Sequence, residues 1–304
     1  MRRWKAQASW RLWVALVALL AAAGAALYLG LGLFTALAQP PERWPIDVLL
    51  FAHYLAFLAL LLLAAGLAYR VAAMLTLAYS VDRNGLYIHW LGNRAIVPLG
   101  QIENIESGAS LTGGAGLRVA NIGAVRSQLH LPGGRVIHAF STVPLAQALV
   151  VHMPDDSYAI SPRDADAFVQ DLEQRRRIGA VQQLTPGVEA GRIFAYAFWS
   201  DPLVRNGLAG AVLLNLLLLG LLMTLFPGLP PLVELRTDAV GATAALAPRH
   251  QILFLPLAGA AVTLLNVGLG LWLYQREPVG VRMLQLASAL IQVLFIIAAL
   301  SILG

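Results

Sequence analysis

Two hydrophobic rhythms divide this chain. The first is an unbroken apolar run, and it recurs five times: at about Leu12 to Ala38, Val48 to Leu75, Leu208 to Phe226, Leu253 to Tyr274 and Met283 to Gly304. A helix needs about 20 apolar residues to cross the hydrocarbon core of a bilayer, so each run predicts a transmembrane helix. None has a charge near its middle, and Tyr69-Arg70 marks the approach to an interface. The second rhythm lies between about Thr76 and Ala180, where short alternating segments are punctuated by turn residues, the mark of a small β-domain. The resulting plan is an N-terminal helical hairpin over 1–75, an inserted domain over 76–180, a linker over 181–204 and a C-terminal helical region over 205–304.

Inside the inserted domain, Leu86, Ile88 and Trp90 share one face of an alternating segment, and Val136 to Phe140 alternates less cleanly. Asp82-Arg83-Asn84-Gly85, Gly92-Asn93, Leu131-Pro132-Gly133-Gly134 and Pro154-Asp155-Asp156-Ser157 suit hairpin turns, because Gly and Asn tolerate positive φ and Pro presets a turn. Turns at this spacing predict a meander of about seven strands. The small and polar residues from Ser107 to Gly116, with Gly113 and Gly114 among them, predict a loop. Ser161-Pro162-Arg163-Asp164 then offers an N-cap serine, a first-turn proline and an acidic residue, which together predict a helix start. Its apolar stripe is Ala165, Phe168, Val169 and Leu172, and Arg175-Arg176-Arg177 closes it where the helix dipole favours positive charge.

Composition agrees with the helices. The chain is 59% hydrophobic and only 12% charged, more than a soluble domain can bury. A formal charge of +5 does not point to nucleic acid, since the basic residues stand in small groups. They read as orientation signals. Arg2, Arg3, Lys5 and Arg11 precede the first helix, whereas the segment from Gln39 to Asp47 is slightly acidic, which predicts a cytoplasmic N-terminus and a cytoplasmic inserted domain. The loop from Pro227 to His250 is then outside, the short Arg276 to Arg282 loop inside, and the C-terminus outside. Lys5 is the only lysine among 21 basic residues, which points to a GC-rich prokaryote and hence to its inner membrane. Thr35-Ala36-Leu37-Ala38 resembles a signal-peptidase site, but the apolar stretch before it is longer than a signal-peptide core, so an uncleaved helix is expected. Trp4, Trp10, Trp13, Trp44, Trp199 and Trp272 fall near predicted helix ends, as interfacial anchors do.

Candidate chemistry is sparse. Without cysteine there is no disulfide, thiolate site or thiol nucleophile. The six histidines, His53, His89, His130, His138, His152 and His250, have no metal-ligand spacing, and no phosphate loop, nucleophile elbow or dinucleotide fingerprint is present, so no cofactor is expected. An enzymatic reading needs clustered ionisable groups at the outer surface, for which His250, Arg249 and Glu234 are the candidates. In the helices, Asn215, Thr263, Asn266, Gln285, Ser288 and Gln292 are the polar groups, and the last three recur at i, i+3 and i+7 on one face. Two accounts fit them: hydrogen bonds between helices or the lining of a small-solute path. Ala64, Ala65 and Ala68, or Gly259 with Ala260, permit close helix contact. Between domain and third helix, Ile193 to Trp199 follows Arg192 and predicts an aromatic interfacial helix, with Asp201-Pro202 breaking the chain before it enters the bilayer. Candidate membrane-surface contacts are therefore Arg175, Arg176, Arg177, Arg192, Phe194 and Trp199. Leu232 to Arg236 with Gly241 suggests a small outer hairpin.

Strands closed by one amphipathic helix suggest the pleckstrin-homology (PH) fold, and the wording is familiar too. Tyr79-Ser80-Val81-Asp82-Arg83-Asn84-Gly85-Leu86-Tyr87-Ile88, then Ile96-Val97-Pro98-Leu99-Gly100-Gln101-Ile102-Glu103-Asn104-Ile105, and Tyr158-Ala159-Ile160-Ser161-Pro162 with Asp164 and Phe168, resemble bacterial PH-like domains of membrane proteins. The resemblance covers about a third of the chain. With the five apolar runs, it gives the expectation of an α-helical integral membrane protein of about five transmembrane helices carrying a PH-like β-barrel or sandwich with a C-terminal capping helix; what the resemblance implies is a binding or assembly role with a protein partner or the bilayer. Phosphoinositide-binding relatives of this fold place several basic residues around the first hairpin, where this chain has only Arg83 and Arg94, which argues against inositol lipids.

Overall fold

The computed structural model describes residues 2–112, 127–130, 136–179, 181–182, 184–189, 197–236 and 245–303. They form two compact units, residues 1–24 with 60–195 and residues 25–59 with 196–304, so the division runs through both N-terminal helices.

In the first unit, strand β1 (Arg2–Lys5) precedes helix α1 (Trp10–Leu37), and helix α2 (Val48–Thr76) leads directly into β2 (Ala78–Val81). The chain continues through β3 (Gly85–Trp90), β4 (Asn93–Pro98), β5 (Asn104–Ser107), the short α3 (Gly108–Thr112), β6 (Ser127–His130), β7 (Val136–Phe140), β8 (Leu149–His152), β9 (Asp156–Ile160), α4 (Ala165–Ile178) and β10 (Gly187–Glu189). Two five-stranded sheets result, ordered β1-β2-β3-β4-β10 and β5-β8-β9-β7-β6. β1 lies antiparallel to β2, with Arg2 opposite Val81 and Lys5 opposite Ala78. One strand before the helical hairpin thus pairs with the strand that follows it. Neither β1 nor β10 is foreseen by alternation, because four and three residues are too short to show a period.

The expected meander is overturned by β7 and β9, which run parallel. The segment from Ser141 to Ala148, with its single 3₁₀ turn, carries the chain past the place that β9 later fills. The inner face of the first sheet, Trp4, Tyr79, Val81, Leu86, Ile88, Trp90, Ala95 and Val97, packs against Phe140, Val151, Tyr158 and Ile160 of the second sheet and against Phe168 and Leu172 of α4. Each Val, Leu, Ile or Phe among them contributes about 1.5–3 kcal/mol of hydrophobic stabilisation. Trp4 is a core residue, 8% exposed and edge-on to Phe168 at 5.8 Å, and so is not the interfacial anchor that its place before α1 suggests. The pleat turns it inward while Arg3 and Lys5 turn outward.

Two local signals act differently from expectation. Asp164, not Ser161, caps α4 by accepting from the Ala167 amide at 3.1 Å. Ser161 is occupied elsewhere: its Oγ accepts from the Thr142 amide and its own amide donates to the Tyr79 hydroxyl. The β3–β4 turn is Leu91-Gly92, both with positive φ (44° and 78°), one residue before the expected Gly92-Asn93. Such a pair is the two-residue hairpin geometry that matches strand twist. The Asp82 to Gly85 turn forms as expected, with the Asp82 carboxylate accepting from the Asn84 and Gly85 amides.

The second unit holds α5 (Ala197–Ser200), α6 (Pro202–Leu225), strands β11 (Leu232–Arg236) and β12 (Ala245–Pro248) paired as a hairpin, α7 (Phe254–Leu273) and α8 (Pro278–Leu303). α8 packs on both α6 and α7, and Leu218, Leu222, Met223, Phe226, Ile252, Leu253 and Ala299 form the main apolar cluster with Ile46 and Leu50. α1, α2 and the segments Pro202–Gly228, Arg249–Leu273 and Pro278–Leu303 are long and apolar enough to cross a membrane. Helices suit that setting because they satisfy their backbone polar groups internally. α6 starts several residues ahead of its apolar run, since Asp201 accepts from the Leu203 amide and caps it.

Candidate functional site

Strand alternation turns the other face of the first sheet away from that core; Arg3, Lys5 and Glu189 are exposed on it while Ala78, Ser80 and Tyr87 are buried, and the pairing register sets its contents. Lys5, Ala78, His89, Arg94 and Glu189 stand directly opposite one another across the five strands. In the adjacent row stand Arg3, Ser80 and Tyr87. The His89 Nε2 lies 2.8 Å from the Ser80 Oγ. Arg94 bonds Glu189 through Nη2 at 2.6 Å and through Nε at 3.0 Å, with its guanidinium over the Tyr87 ring at 5.3 Å. Burial, then the positive charges of Arg3 and Arg94, push the His89 pKa below its ordinary value. Two hollows of about 700 Å³ each open here, with Arg3 on the wall of both. One runs over Ser80, His89, Leu91 and Arg94, and the other over Lys5, Ala78, Leu12 and Leu75. The Leu91 amide donates to the Thr76 hydroxyl, tying the hairpin turn to the end of α2.

A second polar group lies in the other sheet. The His152 Nε2 is 2.6 Å from a Glu106 carboxylate oxygen, and its Nδ1 is 2.9 Å from the Ser157 Oγ. Acid, imidazole and hydroxyl in that order are the parts of a nucleophilic relay. Ser157, however, is 3% exposed on the inner part of a strand, so a substrate carbonyl has no approach to its hydroxyl. The arrangement is a hydrogen-bonded brace across β5, β8 and β9.

In the second unit the helix amides come together. Asn215 Nδ2 donates to Gln292 Oε1 at 3.1 Å and to the Pro256 carbonyl at 2.8 Å, and Gln292 Nε2 donates to Thr263 Oγ1 at 3.2 Å. Asn266 Nδ2 donates to Ser288 Oγ at 2.9 Å, while Gln285 Nε2 donates to the Asn266 carbonyl. Gln285, Ser288 and Gln292 are fully buried. Gly259 makes the room, since a Cβ there would clash with the Gln292 carboxamide. Gln285 Oε1 meets no donor among the described residues.

At one end of these helices Asp201, 5% exposed, receives Arg282 Nε and Tyr274 Oη, each at 2.8 Å. The Arg282 bond, helped by Tyr274, lowers the Asp201 pKa to about 2. Neither motif nor spacing marks this trio, because its members are joined only by folding. Beside it Phe198 is fully buried against Val204 and Val281, so α5 turns one aromatic inward and leaves Trp199 exposed.

The domain of the first unit is matched by a known family. Residues 77–176 match the bacterial PH domain. Neither a curated protein nor a solved structure matches the chain. PH domains are binding domains for lipid or protein, not catalysts. The match begins at the residue after α2 and ends within α4, so β1 and β10 are additions of this chain to the PH domain's first sheet. On that domain's helix, Arg175 bonds Asp171 at 3.0 Å while Arg176 and Arg177 are exposed. Arg192, Phe194, Gly113, Gly114, Gly116 and the expected turn at 131–134 lie outside the described residues, as do Gly241 and the Glu234 side chain. Arg249, offered above for surface chemistry, is engaged by the Leu229 carbonyl and the Phe226 ring. No group of His, Asp and Glu among the described residues has the geometry of a metal site.

Proposed function

We propose that this chain is a non-enzymatic protein of a prokaryotic inner membrane, in which five helices hold a cytoplasmic PH domain as a docking module. Its role is that of a scaffold, assembly factor or accessory subunit of a larger membrane complex. The pairing of β1 with β2 carries this reading. A binding domain whose sheet takes a strand from each end of a helical hairpin is joined to that hairpin at two points of the chain, which suits presentation of a surface. The alternative, a small-solute path along α7 and α8, is less well supported, because Asn215, Thr263, Asn266, Ser288 and Gln292 spend their hydrogen-bonding groups on one another.

Mild-detergent purification of the tagged chain, followed by mass spectrometry of co-purifying proteins, tests the reading against a variant lacking Val81 to Arg177. Partners lost with that segment support docking. If the intact chain brings down nothing that the variant does not, the docking reading fails.

A further inference from the structure

We propose that the groove between β1, the β3–β4 turn and the end of α2 binds the phosphate of an anionic, non-inositol phospholipid from the leaflet next to the PH domain. The inference deepens the docking reading and rests on its membrane placement. Register is the first support: the outer face of the sheet collects Arg3, Lys5, His89 and Arg94, while its acids are Glu189, bound to Arg94, and Asp82, bound to turn amides at the far end. Arg3 and Lys5 have no ion-pair partner among the described residues. Shape is the second. Ala78 sits between Lys5 and His89 in their row, and its small side chain leaves a depression where its neighbours carry long ones.

Chemistry of the lining supplies the third support. Arg3, Ser80 and His89 line one hollow, and Lys5 stands with Leu12, Met74, Leu75 and Leu77 in the other, with Arg3 on the wall of both. A headgroup phosphate with an attached glycerol and acyl chain has that division; a free phosphate has no use for the apolar wall. Position is the fourth, because the apolar wall comes from the first turn of α1 and the last turn of α2, both candidate spans. An inositol polyphosphate fits less well, since Arg83 is the only basic residue in the Asp82 to Gly85 turn. Burial is the main cause of the lowered His89 pKa, and the smaller contribution of the Arg3 and Arg94 charges is the part that a bound phosphate would offset.

Native mass spectrometry of the full chain in detergent, titrated with phosphatidylglycerol or phosphatidylcholine, tests the proposal. One phosphatidylglycerol should be held preferentially, and the Arg3→Ala/Lys5→Ala variant should bind it about 30-fold more weakly, as the loss of two surface cations implies. The charge-conserving Arg3→Lys/Lys5→Arg variant should retain it, which separates lost charge from lost fold. Removing Arg176 and Arg177 by alanine substitution should leave that site intact. Equal binding of both lipids, undiminished binding by Arg3→Ala/Lys5→Ala, or displacement of the lipid by millimolar inorganic phosphate would each overturn the proposal, the last by making a free anion the ligand. Partner capture by Arg3→Ala/Lys5→Ala keeps the two readings apart: a variant that binds lipid normally while deletion of the domain releases partners sinks the groove and leaves docking standing.

Discussion

Buried amides between helices are worth what their satisfied bonds are worth. Gln292 both donates and accepts, whereas Gln285 donates once and leaves an acceptor unmet. Interhelical hydrogen bonds contribute roughly 0.6–2 kcal/mol each, and an unmet buried acceptor costs about 1–3 kcal/mol. Gln292→Met should therefore lower unfolding stability by about 1–3 kcal/mol, while Gln285→Met should be close to neutral; thermal unfolding in detergent compares them, and an equal loss would count against the bonding pattern. His89 gives a pH-dependent counterpart. Its folded pKa is below the ordinary 6.5, so the folded state binds fewer protons than the unfolded chain, and the stability it contributes is present above 6.5 and lost as pH falls through the folded value. The lipid-free protein should lose more stability between pH 7.5 and 5.5 than its His89→Gln variant does, with thermal midpoints at the two pH values as the measure. Ser157 should stay unlabelled by a serine-directed phosphonate probe, because the relay around it is closed to solvent.

Elements differ in how openly they announce themselves. The five apolar runs, the β3 alternation and the helix after Ile160 carry their signal within consecutive residues, and so were legible. β1 is Arg-Arg-Trp-Lys, which alone reads as charge before a helix; only a partner strand, reached after both helices, makes it a strand. The same distance hides the basic groove, whose residues lie on segments far apart in sequence, and the Asp201, Tyr274 and Arg282 trio. Ser161 misled for another reason: its local pattern is that of a cap, but tertiary bonds to Tyr79 and Thr142 outcompete it. If β1 is part of the core, Trp4→Ala should cost about 3–5 kcal/mol, as removal of a buried Trp does, whereas Arg3→Ala, on the outward face of the same strand, should cost little. Chemical unfolding of the full chain decides; a small effect of Trp4→Ala would mean that the strand is dispensable.

At the scale of the molecule, the absence of cysteine makes orientation directly measurable. Single cysteines placed at Glu173 and at Glu42 need no background removed. With the PH domain inside, Glu173→Cys should react with an impermeant maleimide only after the membrane is opened, and Glu42→Cys should react in intact cells. The reverse pattern would invert the topology and move the groove to the outer leaflet. Intact mass of the purified chain should retain the residues before Gln39, because β1 belongs to the sheet that β2 continues.

That shared sheet also imposes an order on biosynthesis. β1 leaves the ribosome first, yet its partner follows some 70 residues later, after α1 and α2 have been made; at about 5–20 residues per second the wait is several seconds. A nascent chain in which the two helices fail to insert as a hairpin strands β1 on the wrong side of the bilayer, and the domain is left with an open edge. If the two helices insert as proposed, the sheet can close only in molecules whose hairpin has formed, and an open β2 edge would mark the ones that failed.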